Sequence, residues 1–369
     1  MPPIAPVHGH VVVYRLYDVG YEIDLDRVFQ LLGDSAPERA RPVRGEAQAI
    51  QIPNPPVTAS LGATTVAVAG VSCAAELSAR IFDFGVVSLR ARVEPSRPVA
   101  WSEFMAWGDA CANAVDWRAV FGAARRGLDE RIGPAVTKPG DSPVTEDYVV
   151  FRIHGLTDGG GGRLPVATLS DEDVTQLLTG ETRLLSAAAR RDLMSQRFSY
   201  FDDDLAVLTW NAALVVEPVA EDTDVQYVLE FANAQLLELR YYDALLDGEV
   251  PRMYDRIEEA RQGFHLLGRR YSRLLAGLQG RVAEVTELVE RSDNALKMTD
   301  DVFLARIYAA AIEIFRGRTW RQGIDAKLAI VRDAYTMLNA ESQARRSEVL
   351  EVIIIALILL EVVLALARH

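Results

Sequence analysis

His10-Val11-Val12-Val13-Tyr14-Arg15-Leu16-Tyr17 and Tyr148-Val149-Val150-Phe151-Arg152-Ile153-His154 both read as β-strands, short runs of β-branched and aromatic side chains. Each opens a similar series. A helix signal follows the first at Asp24–Leu32. After the second it comes at Leu169–Leu178, where Ser170 is a natural N-cap with acids in the first turn. A strand pair comes next in both copies: Arg80–Leu89 running on to Val93-Glu94-Pro95, and Arg197–Leu208 running on to Val216-Glu217-Pro218. Helical segments close the copies, over 102–131 and 225–246. Strand–helix–strand–strand repeated twice is the ferredoxin-like arrangement, so the sequence predicts an α+β fold with a duplicated antiparallel sheet and helices on one face. Thr64–Val71 adds further strand material.

Beyond Pro218 the pattern is helical. Leu229, Ala232, Leu236, Leu239 and Leu246 mark one face, and Leu267, Tyr271, Leu274, Leu278, Val282, Val285 and Val289 another. A further helix is expected over 299–316. The last stripe is the most regular: Ile324, Leu328, Val331, Tyr335 and Leu338, the polar Ser342 and Arg345, then Val349, Val352, Ala356, Leu359, Val363 and Leu366 follow at alternating spacings of four and three. It suits an antiparallel pair with the 265–290 helix or self-association, so long antiparallel or coiled-coil helices are expected. The expected division is an α+β domain at 1–220, with pseudo-repeats at 10–131 and 148–246 including the following helices, a helical stalk at 221–348, and a terminal segment at 349–367.

That terminal segment is Val349-Leu350-Glu351-Val352-Ile353-Ile354-Ile355-Ala356-Leu357-Ile358-Leu359-Leu360-Glu361-Val362-Val363-Leu364-Ala365-Leu366-Ala367. At about 1.5 Å per residue it nearly matches a hydrocarbon core of about 30 Å, and Glu361 opposes insertion by only about 2–3 kcal/mol. A C-terminal transmembrane anchor is therefore expected. Arg332, Arg345 and Arg346 precede it, and only Arg368 follows, which places the large N-terminal part on the cytoplasmic side of an inner membrane. Between Arg316 and Arg346 seven basic residues face three acidic ones, a balance suited to anionic headgroups. A homo-oligomer is the expected state.

Half of the 369 residues are hydrophobic and a quarter are charged, an ordinary globular composition. The net charge of −13 counts against non-specific nucleic-acid binding. Cys73 and Cys111 are the only cysteines and read as core fillers rather than a disulfide framework.

Chemistry-bearing motifs are few. Asp158-Gly159-Gly160-Gly161-Gly162-Arg163 lacks the Gly-Lys-Ser/Thr ending that serves phosphates and Mg²⁺, and reads as a loop. Asp202-Asp203-Asp204 offers carboxylate oxygens to a hard cation but reads as a turn. The five histidines have no zinc spacing. The densest polar cluster on an expected helix runs through Glu230, Asn233, Glu238, Arg240, Tyr241, Tyr242 and Asp243, with Arg240 and Asp243 spaced for a local ion pair. No catalytic, cofactor or metal residue is assigned.

The stretch Arg345–Val362, a basic Leu-Glu-rich helix leading into an Ile/Leu run with a trailing Glu361-Val362, resembles the C-terminus of the RMD/YagE family. Phe82-Asp83-Phe84-Gly85-Val86-Val87 and Leu236–Asp243 resemble further segments, so the likeness covers residues 75–366 or so. Val352 stands where many relatives carry Trp. That family, a domain of unknown function, includes yeast proteins required for meiotic nuclear division and a mitochondrial inner-membrane protein needed for mitochondrial translation. The resemblance implies a membrane-bound protein and supplies no catalytic residues. The function expected from these readings is a tail-anchored scaffold or tether. Association with RNA or the ribosome is the alternative drawn from the family, and a metal- or nucleotide-dependent enzyme with a non-local site is the third class.

Overall fold

The computed structural model describes residues 6–35, 37–39, 54–140, 142–158, 160–262 and 301–366, together with four isolated helical positions between 277 and 286. The chain forms two units. One comprises Met1–Tyr241 with Asn294–Arg318, the other Tyr242–Asp293 with Thr319–His369.

In the first unit the strands are β1 (Val7–Asp18), β2 (Gly20–Ile23), β3 (Glu38–Arg39), β4 (Val57–Val68), β5 (Val71–Ile81), β6 (Val86–Val93), β7 (Val136–Pro139), β8 (Thr145–Leu156), β9 (Arg197–Phe198), β10 (Leu205–Leu208) and β11 (Ala212–Val216). Its helices are α1 (Leu25–Leu31), α2 (Trp101–Asn113), α3 (Trp117–Ile132), α4 (Asp171–Thr179), α5 (Ala187–Leu193), the first part of α6 (Asp224–Gln262), and α7 (Val302–Ile314). Among the described residues nine strands form one mixed sheet in the order β3-β4-β5-β6-β1-β8-β11-β10-β9.

The α+β class holds, but the duplicated antiparallel ferredoxin-like sheet does not. The two quoted strands pair with each other, antiparallel, at the centre of the sheet, with Tyr14 opposite Tyr148. The halves on either side of them differ in hand. β1 pairs antiparallel with β6, whereas β8 pairs parallel with β11. The number of intervening hairpins is the reason. Two antiparallel turns, β4–β5 and β5–β6, lead from β4 to β6, whereas one, β10–β11, leads from β10 to β11, after the stretch holding α4 and α5 has crossed back to the sheet.

Alternation along the strands separates two faces. Val11, Val13, Leu89, Ala91, Phe151 and Ile153 point to one and form the apolar core with Phe104 of α2, Phe121 of α3 and Leu177 of α4. Helix α4 begins where its cap was expected. The Ser170 hydroxyl accepts from the Asp173 amide at 3.1 Å, and Gly180 ends the helix with a left-handed φ of 66°. Cys73 and Cys111 are buried as free thiols. The other face of the sheet carries His10, Tyr14, Ser88, Arg90 and Arg152, all buried.

The second unit holds the C-terminal part of α6 and nearly all of α8 (Gly317–Leu366). Ile324, Leu328 and Val331 of α8 are buried, and Lys327 pairs with Asp243 of α6 at 2.7 Å and with Asp247 at 2.6 Å. Of the expected 265–290 helix only the four helical positions between 277 and 286 are described, and the side chains of Arg345, Arg346 and Val349 lie outside the described residues.

The C-terminal membrane anchor is overturned. Among the described residues no helix is long and apolar enough to cross a membrane. Between Glu351 and Glu361 only the nine residues Val352–Leu360 are free of charge. They span about 14 Å at 1.5 Å per residue, less than half of a hydrocarbon core of about 30 Å. The inner-membrane placement, and the roles of Val352–Leu364 as anchor and of Arg332 as a juxtamembrane charge, lose their support with it. Arg332 donates instead to the Thr286 hydroxyl at 3.3 Å.

Candidate functional site: a buried arginine–carboxylate layer

The polar face of the sheet arises because strands that are otherwise apolar carry arginine on one parity. Register places Arg90 opposite Tyr14, Arg80 opposite Ser88, and Arg152 opposite His10. The first turns of α6 and the loop before it supply acids to match. Arg80 pairs with Glu230, whose side chain is fully buried, and Arg90 with Asp222, which keeps 39% of its side chain exposed. Arg152 donates to Glu217 at 2.9 Å and to the carbonyl oxygens of Val219 and Glu221 at 3.0 and 3.3 Å. Gln226 bonds to the Tyr14 hydroxyl, and the guanidinium of Arg80 lies over the Tyr227 ring, 4.9 Å from its centroid.

Charge pairing sets the electrostatics. Burial opposes ionisation of Asp222, but Arg90 and Arg80 outweigh it and hold the carboxyl well below the usual carboxylate range. Burial, with Arg92 and Arg152 nearby, pushes His10 down to about 3, so its imidazole is neutral. Among the described residues, both ring nitrogens of His10, Nε of Arg90 and of Arg152, Oε1 of Gln226 and of Glu230, and the Tyr227 hydroxyl have no hydrogen-bond partner. The layer therefore depends on its charge pairs, since such uncompensated atoms each cost about 1–3 kcal/mol. Beside it lies an open cavity of about 410 Å³ lined in part by Asp203, Asp204, Glu217 and Asp222.

Glu230, a member of the expected helical polar cluster, lies in this layer, and the other sequence-derived candidates lie elsewhere. Arg240 pairs with Glu146 of β8, and Asp243 with Lys327, in place of the expected local pair. Glu238 and Tyr242 are both buried. Asp204 accepts from the Tyr200 amide at 2.7 Å, and Asp203 lies 3.6 Å from Arg163, so the triple-Asp stretch is organised as a turn. Among the described residues no group of three or more His, Cys, Asp or Glu could hold a metal ion. The glycine-rich loop folds around its own acid, Asp158 accepting from the amides of Gly160 and Gly162 at 2.9 and 2.8 Å. Arg80, Arg90, Arg152 and Asp222 belong to no motif legible in the sequence. Their only sequence signal is arginine at alternate positions of apolar strands.

Residues 8–223, more than half of the chain, match the family described as uncharacterized protein MJ0711, N-terminal domain. The chain belongs to this family. Among relatives, the uncharacterized protein MJ0711 of Methanocaldococcus jannaschii is 25% identical over 195 residues, covering 53% of this chain and 59% of that protein. The match thus spans less than two thirds of the relative's length. No solved structure matches. The MJ0711 N-terminal domain ends one residue before α6 begins. It includes Arg80, Arg90, Arg152, Glu217 and Asp222, and α6 adds Gln226, Tyr227 and Glu230 from beyond its boundary.

Proposed function

We propose that this protein is a non-enzymatic assembly scaffold, a stiff α+β body joined to a helical interaction element. The observation that carries this reading is where apolar surface remains exposed. Eleven large hydrophobic side chains lie within Val352–Leu364, each at 48–65% exposure. Concentrated exposure of this kind marks an interaction site. The charges of the buried layer support the same reading, because each of its three arginines is matched by a carboxylate of the same fold. The reading also takes the chain as a relative of the RMD/YagE proteins, on the Phe82–Val87 strand and the Leu236–Asp243 helix.

Complementation of a deletion strain tests the scaffold. A chain lacking residues 351–366 should fail to restore function, while one carrying Asp202→Asn, Asp203→Asn and Asp204→Asn together should succeed. Loss of function in the folded triple variant would overturn the scaffold in favour of metal-dependent chemistry. Ribosomal subunits co-purifying with the full chain, and released by deletion of 351–366, would identify the scaffold's cargo.

A further inference from the structure

We infer that the terminal part of α8 assembles with copies of itself into a bundle of three or more helices. This inference names the partner of the scaffold proposed above and rests on that reading.

The sequence register sets the geometry. Val349, Val352, Ala356, Leu359, Val363 and Leu366 repeat at spacings of three and four, the a and d positions of a heptad. In this frame Glu351 falls at c and Glu361 at f. Both lie on the side of the helix turned away from the seam, so helices can associate through a and d with the two carboxylates left in water. The flanking positions decide the number of strands. In a two-stranded coil the e and g positions carry charges at the edge of the interface. Here Ile353 and Leu360 occupy e, and Ile355 and Val362 occupy g, each about half exposed. A single partner helix covers only the a/d seam. Helices with neighbours on both sides cover e and g as well, which requires at least three. A helix that is apolar almost all round is a buried helix.

Area supports the same occupant. Side chains of this size each bring roughly 60–120 Å² of apolar surface. Eleven of them, about half exposed, amount to roughly 330–660 Å², a large share of the roughly 800 Å² that one partner contributes to a standard interface. A second copy supplies the same run in the same register, with no further partner needed.

The test is the mass of the purified full chain in detergent-free buffer, by light scattering and sedimentation. The chain alone is 40.7 kDa. The expected result is a single species of at least three chains. Val352→Glu with Leu359→Glu, at d, should return the mass to one chain, while Ile354→Glu with Ile358→Glu, at f and c, should leave the assembly intact. Unchanged far-UV circular dichroism confirms that each variant folds, and deletion of 351–366 replaces any that does not. A monomeric or dimeric full chain overturns the inference, as do polydisperse aggregates, an assembly that survives the d-position changes, or a chain that enters phosphatidylglycerol vesicles as a monomer. Failure here is separable from failure of the scaffold. A monomer that still needs 351–366 for complementation removes self-assembly and keeps the scaffold. An assembled chain that complements without that segment does the reverse.

Discussion

Glu230 shows how much the first unit rests on single side chains. Its carboxylate is fully buried against Arg80, and the Nε of Arg90 lies 4.0 Å away. Removing one partner of a buried pair leaves an uncompensated charge and costs about 3–5 kcal/mol, whereas replacing both with apolar groups is often neutral. Glu230→Leu should therefore destabilise by about that amount in urea unfolding, and Arg80→Met combined with it should recover most of the loss. A double variant as unstable as the sum of the singles would sink this account. Two other buried groups contribute to the pH dependence with opposite signs. His10, with Arg92, Arg152, His154 and Glu94 around it, titrates at about 3 in the fold against 6.5 in the unfolded chain. Between those values only the unfolded state binds the proton, so stability rises with pH across this window. Asp18 has the opposite sign. Burial pushes it from 3.8 up to about 7, the native state holds the proton in between, and its contribution falls as pH rises. Asp18→Asn should raise stability by about 1–3 kcal/mol at pH 8 and change little at pH 3.5. His10→Leu should flatten the rise between pH 4 and 6. Thermal unfolding across pH measures both.

At the element scale, the β5–β6 turn and the start of α4 differ in how they could be read. Ser170 was legible because a cap is a local device, a hydroxyl three residues from the amide that it satisfies. Ser170→Ala should cost about 1 kcal/mol in chemical denaturation. Gly85 is another matter. Its φ of 93° belongs to glycine, and a Cβ there would overlap the carbonyl oxygen of Gly20, a residue remote in sequence. Gly85→Ala should destabilise by about 3 kcal/mol or more, read from the same denaturation curves. A small effect would mean that the turn and β2 can move apart. The arginine face belongs to this scale too. Arg80, Arg90 and Arg152 each look like a solvated strand residue in isolation, and only sheet register with the start of α6 brings them into one layer.

At the scale of the whole molecule, the two units divide the roles. Apolar core and polar layer belong to the first, and the exposed terminal run to the second. Deleting residues 351–366 should leave the melting transition of the α+β body unchanged, followed by near-UV circular dichroism. A lowered transition would show that the run stabilises the body rather than serving an interaction.

The sequence by itself determined the two central strands, the capped helix, the α+β class and the heptad register of the terminal run. Each depends on residues within a few positions of one another, where propensity and periodicity act. Tertiary structure decided that Tyr14 meets Tyr148 at the sheet centre, that β8 runs parallel to β11, and that arginines from three strands share one buried layer with Glu217, Asp222 and Glu230. Strand pairing depends on where a connection returns the chain to the sheet, and a charge becomes buried only when a distant element brings its counter-charge. Neither is encoded in local spacing.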